Sequence, residues 1–397
     1  MHDPIEISPG VSWVGVNDRE TGLFESMWPL PRGISYNAYL IVGEKIALVD
    51  AVKKLQIDGF IAAVRKALPP GRSIDYLIIN HIEPDHSGAI EVLSSLYPGM
   101  KIAGNKRTFD LMEGFYGMTE NLHAVQDGDE LDLGGRKLSF HITPMVHWPE
   151  TMMTYDKTAG ILFSGDAFGS FGTLDGGLFD DEIDPDVYEG EMLRYYSNII
   201  GRFSAMVHKA IRKVEPLDIR MVASTHGPVW RKDPGYPISR YDRWSRFEPE
   251  PGAVLAYASM YGSTLRMAEA VARGLALGGL KDIMMHDVSK VHASFIIRDI
   301  WRYGGVVLGS CTYELGLFPL MRNLVELLEE KALKNRRLGL FGTYGWSGGA
   351  VKRLKEFAGT VSWDLVDPVL EVKCSARDAQ LDECMQLGRN MAAAVKP

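Results

Sequence analysis

Four groups able to ligate a metal, His81, Glu83, Asp85 and His86, fall within six residues of one another. They follow the apolar run Tyr76-Leu77-Ile78-Ile79 directly and precede Ser87-Gly88-Ala89-Ile90-Glu91-Val92-Leu93. The run reads as a buried strand, and the following segment has helical spacing with a serine suited to capping. A strand-to-helix loop held at both ends by packed elements can aim several side chains at one point. Imidazole nitrogen and carboxylate oxygen together suit first-row metals, and four donors so close could hold two ions. The plain alternative, a solvated polar loop, needs no companion residues elsewhere.

Companions are present. His147 lies in Pro144-Met145-Val146-His147-Trp148, Asp166 in Phe163-Ser164-Gly165-Asp166, and His226 in Ala223-Ser224-Thr225-His226-Gly227, each after an apolar, strand-like run. In this order the residues resemble the metal-binding pattern of the metallo-β-lactamase superfamily, in which successive loops at one edge of a β-sandwich supply a binuclear site. Glu83 stands where that pattern has its second histidine, which points to the flavodiiron proteins, the oxygen- and nitric-oxide-reducing branch. The resemblance implies that His81, Glu83 and His147 ligate one iron, that Asp85 and His226 ligate the other, and that Asp166 bridges. It leaves His86 open, a ligand in some members and not in others. It also implies an αββα sandwich over residues 1–248. Asp50 ends a strand without a neighbouring donor and reads as a supporting or structural residue, while His123, His141 and His208 lie outside the motif positions.

At 397 residues, with 46% apolar and 24% charged residues, the chain is long enough for two or three domains with sizeable cores. A net charge of -8 argues against a general nucleic-acid or anionic-membrane surface. No run approaches the ~20 apolar residues of a membrane span, and Met1-His2-Asp3-Pro4-Ile5-Glu6 lacks the basic start and apolar core of a signal peptide. The expected location is the cytoplasm. Cys311, Cys374 and Cys384 are too scattered for a disulfide framework, and no C-x-x-C pair marks a rubredoxin or structural zinc.

Strand patterns dominate from Val11 to Ile142, with one amphipathic helix from Ile57 to Leu68. The glycine-rich segment Phe168 to Glu182 reads as an irregular loop that either shapes access to the metals or simply connects. Glu191 to Val214 reads as one long helix with an apolar face. Glu248-Pro249-Glu250-Pro251-Gly252 resists helix and strand and marks a boundary, after which a second domain spans 252–397. There, five strand patterns alternate with five helical ones, the signature of a doubly wound parallel sheet.

Three loops that follow strands of this set carry the binding signal. Ser259-Met260-Tyr261-Gly262-Ser263-Thr264 offers hydroxyls, backbone N–H groups and a helix N-terminus to a phosphate, and resembles the flavodoxin phosphate loop. Ser310-Cys311-Thr312-Tyr313 resembles the S-P-T loop, with Cys311 in the proline position. Thr343-Tyr344-Gly345-Trp346-Ser347-Gly348 resembles the loop beside the isoalloxazine. The resemblance thus implies FMN and two non-haem irons, with the flavodoxin-like domain passing electrons to the diiron site. With no rubredoxin or flavin-reductase module in the sequence, the expected reductant is external: rubredoxin, a reduced deazaflavin or a nicotinamide-linked reductase. The family further implies a head-to-tail homodimer, able to pair into a dimer of dimers. A binuclear zinc hydrolase fused to a flavodoxin is the alternative, and Glu83 and the fusion argue against it. Sequence alone chooses neither between dioxygen and nitric oxide nor among the donors.

Overall fold

A computed structural model describes residues 3–396; Met1, His2 and Pro397 lie outside the described residues. The chain divides into two compact units, Met1–Tyr196 with Phe203–Asp242, and Ser197–Arg202 with Arg243–Pro397.

In the first unit, strictly alternating burial builds two facing sheets. The seven-stranded sheet runs in the order Ile5–Ser8, Val11–Trp13, Tyr39–Val42, Ile46–Val49, Tyr76–Ile78, Lys101–Gly104, Leu122–Ala124. Its first four strands are antiparallel, and the last three join in parallel. The five-stranded sheet runs Glu130–Asp132, Lys137–Ile142, Met152–Asp156, Ile161–Gly165, Met221–Ser224. Side chains alternate faces along a strand, so Tyr39, Ile41, Ala47, Val49 and Ile78 enter one core with Phe140, Met152, Ile161 and Phe163 of the other sheet. Their neighbours Leu40, Leu48 and Leu77 are fully buried outside that core, so the seven-stranded sheet is covered on both faces. The hairpin expected at Gly43-Glu44-Lys45 joins two of these strands, and the first amphipathic helix spans Ile57–Ala67.

The entry to this unit is pinned by a buried ion pair. Asp18, 1% exposed, lies 2.7 Å from Lys53 and accepts from the Thr21 hydroxyl and the Glu20 and Thr21 N–H groups. Burial pushes its pKa up, but the Lys53 and Thr21 hydrogen bonds outweigh that and hold it at about 2. A carboxyl whose pKa is depressed on folding stabilises above its unfolded value, near about 4, and loses that contribution as the pH falls through the folded value. Asp18→Asn should therefore lower stability at neutral pH, and its gap from the parent should close as the pH falls from about 4 through about 2. Chemical denaturation of both proteins in chelator across that range checks it; a gap independent of pH would contradict it.

The expected single helix from Glu191 to Val214 is broken. Pro185–Tyr195 and Ser204–Val214 are α-helical, but Tyr196–Ile200 forms a π-turn and Gly201–Phe203 a 3-10 turn. A Cβ on Gly201 would stand 2.5 Å from the Trp301 ring, and Asn198 Nδ2 donates to the Ser294 carbonyl, so the break fits the chain closely to its neighbours. An inserted wide turn shifts helical phase while keeping the apolar side inward, which is why periodicity alone runs through it.

The second unit carries parallel strands in the order Ile283–Asp287, Glu250–Ala258, Tyr303–Tyr313, Arg337–Tyr344, with Asp364–Leu365 and Leu370–Lys373 both pairing to the last. Five helices connect them: Ser263–Leu277, Ala293–Arg302, Pro319–Lys331, Ala350–Val361 and Asp378–Val395. The strand order, 2-1-3-4-5 within the unit, is the flavodoxin-like form of the doubly wound sheet. Two expectations change. The boundary at Glu248–Gly252 falls inside this unit, because Pro251 and Gly252 sit at a register shift within Glu250–Ala258, where a proline costs no ladder bond. The preceding aromatic and basic stretch is helical, Gly235–Ser245. The fifth strand is split around Pro368, which has no N–H to donate. Among the described residues no helix is long and apolar enough to cross a membrane.

Candidate metal centre and flavin cleft

The strand Tyr76–Ile78 delivers the first ligands, but the segment that follows is only partly a loop. Asp85 and His86 lie in a single helical turn, Pro84–Ser87, and a second helix starts at Ile90. Ser87 does not cap that helix as expected; its hydroxyl turns back to the Ile82 and Glu83 carbonyls and fixes the turn. Asp50 braces the other end, accepting from the Asn80 N–H at 2.8 Å and from Asn80 Nδ2 at 2.7 Å, while Glu150 accepts from the Ile82 N–H. Asp50 is thus a supporting residue, held in the left-handed region that aspartate tolerates.

His147, Asp166 and His226 arrive from the second sheet. Asp166 and His226 follow the parallel strands Ile161–Gly165 and Met221–Ser224, so both emerge at the same sheet edge. Gly227, at φ +79, lets the chain turn away from His226; a Cβ there would stand 2.2 Å from Ser170 Oγ.

The seven side chains converge on the Asp166 carboxylate, which divides them. Asp166 Oδ2 lies 3.3 Å from His81 Nε2 and 3.1 Å from His147 Nε2, and His147 Nε2 lies 3.0 Å from Glu83 Oε2. Asp166 Oδ1 lies 3.2 Å from His86 Nε2 and 3.7 Å from His226 Nε2, and these nitrogens lie 3.2 and 3.6 Å from Asp85 Oδ2. His86, left open by the sequence, is fully buried with its Nε2 aimed into this second set. In each possible ligand group the donor atoms lie within 4.8 Å of one another.

The electrostatics call for cations. Buried polar atoms without a hydrogen bond include both ring nitrogens of His81, Glu83 Oε2 and both oxygens of Asp85, an arrangement that costs free energy unless something positive binds them. Burial opposes charge on His147 and His86, yet the first's hydrogen bonds to Asp166 and Glu83 and the second's attraction to Asp85 and Asp166 raise both to about 10. Burial likewise works against Asp166 as an anion, but His81 and His86 hold its pKa well below the carboxylate range. Burial lowers His226, whose Nδ1 bonds the Ser35 carbonyl at 2.7 Å; that bond fixes the tautomer leaving Nε2 free to ligate. The donor set, three carboxylates and four imidazoles, fits two first-row metal ions sharing Asp166.

Two groups the sequence gave no reason to single out finish the bridge. The Tyr195 hydroxyl donates to Asp166 Oδ2 at 2.7 Å, and the Thr225 hydroxyl to Oδ1 at 2.5 Å. Tyr195 reads in sequence as one more apolar-face aromatic of a long helix. Its ring does pack, against Phe24 and Phe171, while its tip reaches the site. Phe171 comes from the irregular Phe168–Glu182 stretch, so part of that stretch walls the centre.

The flavin residues gather around a cleft of about 730 Å³ in the second unit. Its three loops follow the first, third and fourth strands of the unit, adjacent in the sheet. Ser259, Met260, Tyr261, Ser263, Thr264, Cys311, Thr312, Tyr313, Thr343, Tyr344, Gly345, Trp346 and Ser347 line it. Three expected residues do not. Gly262 shapes the turn at φ +89, Ser310 points its hydroxyl at the Cys311 carbonyl, and Gly348 lies so close to Glu371 that a Cβ would meet its carboxylate at 2.7 Å. Glu314, Leu315, Cys374 and Ser375 line the cleft without having been expected.

No lysine, arginine or histidine lines the cleft, so a phosphate there would rely on hydroxyls and the N-terminus of Ser263–Leu277. Tyr261 and Trp346, 93% and 91% exposed, offer ring faces to a planar ligand at its rim. Burial raises the Cys311 pKa, so this thiol stays protonated beside the cleft. Hydroxyl-rich phosphate loop, aromatic rim and volume together fit FMN.

Fold and site define a two-part protein that joins a metallo-β-lactamase-like metal unit to a flavodoxin-like one. Residues 34–227 match the family model described as ODP family beta lactamase, and residues 255–388 match flavodoxin. A nitric oxide reductase of Moorella thermoacetica is 34% identical over 100% of both chains. The anaerobic nitric oxide reductase flavorubredoxin of Aeromonas hydrophila is 34% identical over 98% of this chain and 79% of its own. Among solved structures, the rubredoxin oxygen:oxidoreductase of the anaerobe Desulfovibrio gigas superimposes with a TM-score of 0.95 at 27% identity, covering 99% of this chain and 98% of that one. The flavodiiron protein of Giardia intestinalis does so with a TM-score of 0.95 at 27% identity, covering 99% and 97%. The chain belongs to the flavodiiron protein family.

Proposed function

We propose that this oxidoreductase reduces dioxygen to water, nitric oxide to nitrous oxide, or both, at a non-haem diiron site supplied with electrons through FMN. The observation that carries the reading is the Asp166 carboxylate, with one oxygen facing each of two buried ligand sets. When bound, an iron pair supplies electrons and Lewis-acid sites to a diatomic molecule, and FMN accepts electrons in ones or twos.

The chain's own residues do the positioning. His81, Glu83 and His147 would hold one ion, Asp85, His86 and His226 the other, and Asp166 would set their spacing. Tyr195 and Thr225 hold Asp166 in place by donating to its two oxygens. Phe24 and Tyr36 stand edge-on to His226 and keep water from that side. A site richer in carboxylate than an all-histidine shell stabilises the higher charge of ferric ions, which favours redox cycling over zinc hydrolysis. An electron-transfer or sensing module with a merely structural metal would not need two complete ligand sets.

The purified protein should contain two irons and one FMN per chain, with the metals ~3.5–4 Å apart by X-ray absorption. Gas reduction should follow iron content and disappear on zinc replacement. Zinc that supports hydrolysis, with iron giving no gas reduction, would overturn the assignment.

Electrons enter from an external donor: rubredoxin, a reduced deazaflavin or a nicotinamide-linked reductase. The catalytic unit is a head-to-tail homodimer, with the FMN of one chain serving the metals of the other; two-fold symmetry would then create two such junctions at once. Its workplace is the cytoplasm, where the three free thiols would stay reduced.

A further inference from the structure

A short hairpin stands over the metal centre, with a carboxyl group at its tip. Leu23–Phe24 pairs with Trp28–Pro29, and Phe24 lies opposite Trp28. Glu25 and Ser26 at the tip both adopt left-handed backbone, at φ 48 and 57, and the Met27 N–H closes the turn on the Phe24 carbonyl. Two such non-glycine residues in succession are uncommon, so the fold holds this tip in place against a conformational cost.

The hairpin is anchored in the centre itself. Phe24 is buried, with its ring edge-on to the metal-facing His226 at 5.7 Å and packed against Phe171 and Tyr195 at 5.5 and 6.2 Å. Buried Trp28 donates its indole N–H to Glu25 Oε2 at 3.1 Å and so fixes the direction of the carboxyl. Glu25 itself remains exposed at the tip.

From this placement, and resting on the gas-reducing reading above, we infer that Glu25 is the residue that passes protons from solvent to the reacting molecule at the diiron site. The groups whose charge reaches it are Glu83 and His147 from one ligand set and Asp85 from the other. Glu25 thus adjoins both sets. Burial first, and then the charge of Glu83, raise its pKa above the usual carboxyl range; Asp85 adds to the rise, and His147 and the Trp28 hydrogen bond oppose it. A carboxyl so raised keeps a proton to give nearer neutral pH.

Proton supply is required by the reaction. Dioxygen becoming two waters takes up four electrons and four protons. Two nitric oxide molecules forming one N–N bond and losing one N–O bond give nitrous oxide and water, taking up two electrons and two protons. The electrons come from the external donor through the flavin. Each proton would leave the Glu25 carboxyl, which solvent then recharges.

Neighbouring groups are committed elsewhere or hold their protons too firmly. Tyr195 donates to Asp166, burial pushes the phenols of Tyr36 and Tyr195 well up, and Lys53 is paired with Asp18. The sequence offers no marker for Glu25, which lies in Gly22-Leu23-Phe24-Glu25-Ser26-Met27-Trp28 without a neighbouring ligand motif.

The test compares the parent with Glu25→Gln and Glu25→Asp. Gln keeps shape and backbone preference but cannot give and regain a proton in this way; Asp keeps the acid and tolerates the left-handed backbone. Iron and FMN content are measured first, and the reduced proteins are then mixed with each gas across pH. Glu25→Gln should keep both cofactors and slow gas-dependent reoxidation about 100-fold or more, and Asp should restore part of it. Parent rates should fall as the pH rises through the Glu25 pKa, a dependence that the Gln variant lacks. Infrared spectra of the zinc-loaded proteins give a readout without turnover: a protonated-carboxyl band at neutral pH in the parent, absent from Glu25→Gln.

Parent-like rates and pH profile in Glu25→Gln would overturn the inference while leaving the functional reading intact. Loss of iron from that variant, or a parent without the infrared band, would also overturn it. A parent that reduces neither gas would remove the functional reading and the inference together.

Discussion

Asp166→Ala should abolish gas-dependent donor oxidation, with a loss of more than about 100-fold, while leaving the flavin spectrum unchanged. Changes in groups that merely support a metal ligand commonly cost about 10- to 100-fold, and Asp166 is the one carboxylate facing both ligand sets, so its removal should exceed that range. Without it, four imidazoles would remain with only Glu83 and Asp85 to balance two divalent ions, and Tyr195 and Thr225 would lose their acceptor. Iron analysis, the flavin spectrum and donor oxidation on one preparation check the prediction. Retained turnover with full iron would show that another group bridges. The same variant tests the dimer, by chain exchange with a second one that lacks FMN through changes at Ser259, Ser263 and Thr264. Transfer between chains predicts that mixed dimers regain part of the activity, and verified mixed dimers that stay inactive would contradict it.

Arg336→Ala should destabilise the flavodoxin-like unit by about 3 kcal/mol or more. Arg336 is 1% exposed, and its partners are carbonyls rather than a carboxylate. Nε donates to Ile300 O at 2.8 Å, Nη1 to Phe247, Lys334 and Asn335 carbonyls at 3.2, 2.9 and 3.1 Å, and Nη2 to Trp301 O. Ile300 and Trp301 lie in the last turn of Ala293–Arg302, where carbonyls have no partner within the helix and its dipole is negative. The guanidinium supplies both the donors and the charge; alanine would leave buried carbonyls unpaired and a void beside them. Arg336→Lys should recover only part of the loss, because an ammonium cannot span carbonyls spread over such a fork. Chemical denaturation followed through flavin release measures the cost, and a loss below about 1 kcal/mol would show that water replaces the side chain freely.

The sequence was most informative where chemistry and local structure coincide. His81, Glu83, Asp85, His147, Asp166 and His226 each follow an apolar run, so strand ends and ligand types could be read together, and the order of the loops carried the rest. The flavin loops were legible for the same reason. Tyr195 was not, because a tyrosine whose ring packs and whose hydroxyl reaches a site looks in sequence like any other core aromatic. Glu25 was hidden because its relation to Glu83, nearly sixty residues away, exists only once the Leu23–Pro29 hairpin folds over the cluster. The broken helix around Ser197–Arg202 escaped because a π-turn preserves the apolar side while changing the path. Pro251 misled in the opposite way: it reads as a linker residue, yet a register shift gives it a place in a strand.

The central claim is that the site bridged by Asp166 is a reducing diiron centre fed by FMN. The most direct measurement mixes anaerobically reduced, iron- and FMN-loaded protein with dioxygen or nitric oxide in a stopped-flow instrument, follows flavin reoxidation and assays the products. The account predicts fast reoxidation yielding water or nitrous oxide with at least one gas, lost when zinc replaces iron. Flavin reoxidation no faster in the iron-loaded protein than in the zinc-loaded one, with either gas, would contradict it.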